Sequence, residues 1–180
     1  EKLSQLAVKK VVITESVFIR KGGSRVPVEI TGKLLSNNYI IGMLRDISER
    51  KQAERTLRES EEKFRNLVEQ SPDGIFMADE NGDIVQWNCG LEHVSGLMKK
   101  DVFGRPIWDV YWELLPEELR TVDALNHLRS DVDEVLASGR GLWLNLPRET
   151  IFQLIDGVYR NVEVIMYTYK TEAGYRIGGI

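Results

Sequence analysis

Cys89 and His93 stand four residues apart, so on a helix they share one face and offer a thiolate and an imidazole to a metal ion. Two ligands do not complete a tetrahedral site, and the next histidine, His127, lies far along the chain, so no metal is expected. Asp79, Asn81 and Asp83 imitate the start of a calcium loop, but such a loop needs Gly at its sixth position and Glu at its twelfth. Ile84 and Gly90 stand there instead, and the stretch reads as a hairpin turn. Trp87, Trp108, Trp112 and Trp143 are many large rings for one small module. They either fill a core or, with Trp108, Trp143, Met166 and Tyr167 lining an apolar cavity, hold a small metabolite. The acidic residues Asp123, Asp131, Asp133 and Glu134 read as a solvated helix face.

Composition narrows the classes. The net charge is -4 with both signs mixed along the chain, which offers no basic face to a phosphate backbone, so no nucleic-acid partner is expected. One cysteine rules out an internal disulfide and suits a reducing compartment, hence a cytoplasmic location. No apolar run approaches the roughly 20 residues of a membrane span, so this segment is expected to make no membrane contact, although an anchor elsewhere in a longer parent is compatible with it.

The elements that must position these residues repeat. Phe18-Ile19-Arg20, Val28-Glu29-Ile30 and Tyr39-Ile40-Ile41-Gly42 return as Phe152-Gln153-Leu154, Val162-Glu163-Val164 and Tyr175-Arg176-Ile177-Gly178. One three-strand unit is used twice. In the first copy, strands are predicted over 11–20, 25–35 and 39–44, with turns at Lys21-Gly22-Gly23-Ser24 and Asn37-Asn38. Val26, Val28, Ile30 and Leu34 fall on one strand face and need cover, for which Leu3, Leu6 and Ala7 or a second chain are candidates.

A helix is predicted over 46–71, about 39 Å at 1.5 Å per residue. Asp46 and Glu49 form a capping-box pattern at its start, and Pro72 ends it. Glu54 with Arg58, Glu59 with Lys63 and Glu61 with Arg65 are i,i+4 pairs. Leu57, Phe64 and Val68 make an apolar stripe in whose register Arg50, Glu54 and Glu61 also fall. Either the stripe packs on its own domain, or the helix forms a parallel dimeric coiled coil with weak polar layers.

Beyond it the pattern predicts a short strand Ile75–Ala78, a type I′ hairpin turn at Asn81-Gly82, a strand Ile84–Trp87, and short helical turns over 89–115. A long amphipathic helix follows from Pro116 to Ser138, then strands over 142–154, 158–169 and 174–180.

That order closes into an α+β fold, a five-stranded antiparallel sheet with helices on one face, and it resembles the PAS fold. The wording agrees. Glu61-Glu62-Lys63-Phe64-Arg65 and Val68-Glu69-Gln70-Ser71-Pro72-Asp73-Gly74-Ile75 are similar to the start of a PAS domain, Asp83-Ile84-Val85-Gln86-Trp87-Asn88 to its second strand, and Gly104-Arg105-Pro106-Ile107-Trp108-Asp109 to the segment before its long helix. Arg45-Asp46-Ile47-Ser48-Glu49-Arg50-Lys51 resembles the Asp-Ile-Ser/Thr signature that closes one PAS domain and opens a signalling helix. The resemblance implies three parts: 1–45, the last three strands of a first PAS domain; 46–71, a signalling linker helix; 72–180, most of a second PAS domain.

It also implies a function. Such tandem modules sit chiefly in sensor histidine kinases of two-component systems, less often in diguanylate cyclases or transcription regulators. This segment carries no phosphoacceptor histidine box, nucleotide-binding box or cyclase signature, so catalysis is expected in the rest of a parent histidine kinase, not here. The expected partners are a second copy through the linker helix, a downstream kinase or other output domain, and a small-molecule ligand of unknown identity. Asp46, Leu57, Glu61, Phe64, Leu67 and Val68 are the expected signal-transfer and dimer residues. Haem is not expected, because Leu128 rather than His127 falls where the family takes its axial ligand. Covalent flavin chemistry is not expected either, because Asn88-Cys89-Gly90 lies upstream of the family's reactive cysteine. The alternative is a stand-alone PAS-like binding module or enzyme.

Overall fold

The computed structural model describes residues 11–34 and 39–180; the expected cover by Leu3, Leu6 and Ala7 and the Asn37-Asn38 turn lie outside them. The chain divides into two compact units, 1–63 and 64–180.

The first unit is an antiparallel sheet of β1 (Val11–Ile19), β2 (Arg25–Leu34) and β3 (Ile40–Asp46), with β2 central. β-branched residues favour the strands, and Gly23 at φ +83° makes the β1–β2 turn, its N–H donating to the Arg20 carbonyl at 2.9 Å. Alternation buries Val26 and Val28 and leaves Ile13 and Val17 exposed on the opposite face. Beyond β3, Ile47 is buried and its N–H reaches the Pro27 carbonyl at 3.0 Å.

Helix α1 covers Ser48–Glu69. Asp46 caps it from one residue further out than a capping box requires, its Oδ1 accepting the Ser48 N–H at 2.9 Å. Arg50 reaches Glu15 at 2.8 Å and Lys51 reaches it at 2.7 Å, which ties the first turn to β1. Two of the expected acid-before-base pairs, Glu54 with Arg58 and Glu59 with Lys63, give way to the reverse order: Arg55 meets Glu59 at 2.8 Å and Arg58 meets Glu62 at 3.0 Å, so one partner of each is already taken.

The second unit builds its core between a sheet and helices. β4 (Phe76–Ala78), β5 (Ile84–Trp87), β8 (Met166–Lys170) and β9 (Tyr175–Gly179) form an antiparallel sheet in the order β5-β4-β9-β8, and β6 (Arg148–Gln153) pairs with β7 (Tyr159–Val164). Between β5 and β6 come α2 (Cys89–Ser95), α3 (Lys99–Val102), α4 (Ile107–Leu114) and α5 (Val122–Ser138). Ala78, Ile84, Val102, Val110 and Val135 are fully out of water, which makes this the larger hydrophobic cluster.

Four details differ from the sequence expectation. The strand predicted over 158–169 bends at Ile165, so its first half, β7, pairs with β6 and its second half, β8, with β9; the sheet therefore runs as ladders of four and two strands. The Asn81-Gly82 turn is not type I′, because Gly82 has positive φ (+83°) and Asn81 does not. Asp79 holds it instead, Oδ1 accepting from the N–H groups of Asn81 and Asp83 at 2.9 and 3.0 Å. The long helix starts at Val122, not Pro116, since Thr121 is extended and caps it through Oγ1, 3.1 Å from the Ala124 nitrogen. Residues 142–147 turn rather than extend, with Asn145 at φ 59°.

Candidate functional site

The most connected polar side chain of the second unit is Asn88, which is 0% exposed. β5 delivers it to the N-cap of α2, a position that favours a short polar side chain able to accept from the helix's free N–H groups. Its Oδ1 accepts from Leu91 at 2.9 Å and from Ile75 at 2.7 Å. Its Nδ2 donates to the carbonyls of Val68 at 2.8 Å and Asp73 at 2.9 Å, with Ser71 at 3.4 Å. The donors around Oδ1 and carbonyls around Nδ2 fix the orientation of the amide. One buried side chain thus joins the last turn of α1, the segment leading to β4, and the first turn of α2. Sequence reasoning assigned Asn88 no role; the readable signal was an Asn between a strand and a helix.

Three of the four residues expected around a ligand come together. Trp108, Trp143 and Met166 line a cavity of about 100 Å³ with Leu128 and Ile177, and Arg129 lies 5.6 Å over the Trp108 ring. Tyr167 is not among its lining residues: strand alternation turns it to the other face of β8, where its ring packs over Gly178. Burial pushes the Tyr167 phenol above its usual range.

Of the expected signal-transfer residues, Leu57, Phe64 and Leu67 are exposed on α1. Glu61 is exposed as well, Val68 is half-buried with its carbonyl held by Asn88, and Asp46 caps the helix. The Cys89 thiol donates to Glu69 Oε1 at 3.2 Å, and that carboxylate raises its pKa, which makes a poor thiolate. His127 sits on the exposed side of α5.

A second apolar cavity, about 440 Å³, lies between the helices and β7. Phe76, Trp87, Val110, Phe152 and Val164 line it, with Pro72, Gly74, Ile165 and Ile180 among its other walls. Beyond the β4–β5 turn, Glu80 Oε1 accepts from Arg176 Nε at 2.8 Å and Thr171 Oγ1 at 2.6 Å, and these bonds, Arg176 first, lower its pKa to about 2.

The order of strands and helices finds its counterpart among known proteins. Residues 62–164 match the PAS fold, and residues 2–49 match a PAS domain. The chain belongs to the PAS family. Sporulation kinase E of Bacillus subtilis (strain 168) is 28% identical over 156 residues, which make up 82% of this chain and 21% of that protein. The chain therefore spans about a fifth of the length of that curated relative. The PAS domain of an HTR-like protein from Haloarcula marismortui superposes with a TM-score of 0.50 at 25% identity, covering 72% of this chain and 96% of that one. This is a PAS region, related in sequence to part of a protein named as a sporulation kinase. No helix among the described residues is long and apolar enough to cross a membrane.

Proposed function

We propose that this chain is the sensory and dimerisation segment of a cytoplasmic two-component signalling protein, a sensor histidine kinase. In this reading the second PAS core exchanges conformational signals with the linker helix. The observation that carries it is the Asn88 amide, which bonds at once to the helix carbonyl of Val68 and to the backbone of both core elements around it. A change in the packing of β4, β5 or α2 must move that amide, and the amide holds the helix. The relationship to a sporulation kinase supports the kinase output. The Trp108–Trp143–Met166 cavity is smaller than the roughly 300 Å³ where metabolite pockets begin, so the signal at that position is a repacking unless the cavity opens.

Dimerisation falls to the exposed stripe of α1. Leu57, Phe64 and Leu67 are 61%, 63% and 74% exposed at spacings of seven and three, as in a coiled-coil seam. Ala53 and Ser60 continue that spacing as small residues. Arg50, one of the expected weak layers, is engaged with Glu15 instead. Phe64→Glu is expected to lower dimer content in sedimentation; an unchanged dimer places the contact elsewhere. The functional test joins residues 1–180 to a histidine-kinase catalytic region and compares autophosphorylation with and without Asn88→Ala, folding being checked by thermal melting. A several-fold change in basal rate is expected, and equal rates from a folded variant would contradict the reading.

A further inference from the structure

We propose that the cavity between the ends of α2 and α4 and the β6–β7 turn is a binding site for a free aliphatic α-amino acid. It holds about 310 Å³ and shares no wall with the Trp108 cavity, and all of its walls lie between Ser95 and Gly157, inside the chain. Leu97, Leu114, Leu154 and Ile155 supply its apolar side; Glu113, Glu117, Arg120 and Gln153 supply its polar side.

One of its charges is already neutralised, since Arg105 grips the Glu113 carboxylate through both Nη groups at 3.2 and 2.6 Å. Arg120 and Glu117 are not. The Leu115 carbonyl accepts from Arg120 Nε at 2.7 Å, which fixes the guanidinium and leaves both Nη groups without a partner among the described residues. The Glu117 carboxylate has none among them either. These two residues bracket a short 3₁₀ turn, Glu117–Leu119, a geometry in which side chains three residues apart fall on one side. A cation and an anion thus line one space without closing on each other. Gln153 adds a third polar group: its Oε1 accepts the Glu117 N–H at 2.8 Å, so its Nε2 remains as a donor.

That pattern selects the ligand. A simple anion would satisfy Arg120 and Gln153 but meet the Glu117 carboxylate, and a simple cation would satisfy Glu117 but meet Arg120. A zwitterion satisfies both, its carboxylate on the Arg120 fork and the Gln153 amide, its ammonium on Glu117. A residue within a peptide carries neither charge. The rest of the wall takes an apolar side chain, which would cover Ile155, 83% exposed beside the buried Leu114. At the roughly 30 Å³ that one water occupies, the space takes about ten non-hydrogen atoms, the size of leucine, isoleucine or methionine. The site itself is independent of the relay reading. Its consequence rests on that reading: Ser95 and Leu97 stand at the end of α2, whose carbonyls of His93 and Val94 are held by Arg160 and whose first turn Asn88 caps, so an occupant touches the far end of the helix in the clasp.

The experiment is calorimetric titration of the full chain with L-leucine, with isocaproate and isopentylamine as the analogues that lack the ammonium and the carboxylate. Saturable binding of leucine, millimolar or tighter, is expected, with both analogues weaker by about tenfold or more, the scale of one charged hydrogen bond. Glu117→Gln, which keeps the backbone bond to Gln153, should weaken leucine as much and leave isocaproate no weaker; Arg120→Gln, with folding checked by thermal melting, should weaken both. No saturable binding of leucine, isoleucine or methionine would overturn the proposal. Leucine held equally by Glu117→Gln, or either analogue held as tightly as leucine, would overturn it too. Leucine binding that leaves autophosphorylation of the kinase fusion unchanged would sink the relay and leave the site standing.

Discussion

β2 and β7 are the same strand of one repeat in two settings. β2 lies between two partners, yet the sheet around it buries only Val26 and Val28 among its own strand residues and leaves β3 exposed throughout. β7 has one partner, yet its unit closes over thirteen buried apolar residues, from Phe76 to Ile177. Ladder completeness and core burial are therefore separate sources of order in this chain, and burial is the stronger: a fully buried aliphatic side chain contributes about 1.5–3 kcal/mol, a net backbone hydrogen bond about 1 kcal/mol. The two units should melt separately, the first unit first.

The largest test removes the Asn88 amide. Asn88→Ala leaves the Val68 and Asp73 carbonyls and the Ile75 and Leu91 N–H groups without that partner, so urea unfolding should show a loss of about 3 kcal/mol or more in the second transition and none in the first. Asn88→Asp keeps the acceptor oxygen but turns a second oxygen on two carbonyls, and should do as much damage. Next, Ile177→Ala opens the core of the second unit, at a cost of about 2–5 kcal/mol, whereas Val28→Ala should lower only the first transition, and by less. A single transition shifted by both substitutions would refute the separation.

Acid gives a smaller effect. The folded pKa of Glu80 lies near 2, below its usual 4.5, so its bonds to Arg176 and Thr171 stabilise the fold fully above pH 4.5. That contribution should fade as pH falls from 4.5 toward 2, in the second transition only, and Arg176→Gln should remove most of the dependence. The smallest change is Arg50→Ala. Its bond to Glu15 is half exposed, so the first transition should barely move.

Much of this was legible from residue order. The repeat, the strand alternation of Val26 and Val28, and the proline and glycine punctuation gave the α+β PAS order, because each is a local rule. What escaped depended on contacts distant in sequence. Tyr167 shares an apolar run with Met166, and the bend at Ile165 cannot be read without knowing which strand each half pairs with. Thr121 and Asp79 displaced a helix start and a turn type through side-chain bonds that compete with the patterns of proline and Asn-Gly. Asn88 stood only inside the family phrases, its bonding role unread, since its partners lie up to 20 residues away.

Amide exchange in the last turns of α1 tests the central claim most directly. In the unaltered chain the amides of residues 64–69 should be protected through the clasp on Val68, and in folded Asn88→Ala they should exchange markedly faster while those of residues 52–60 keep their rates. If residues 64–69 exchange equally slowly in both proteins, Asn88 does not couple the PAS core to the helix and the relay account is wrong.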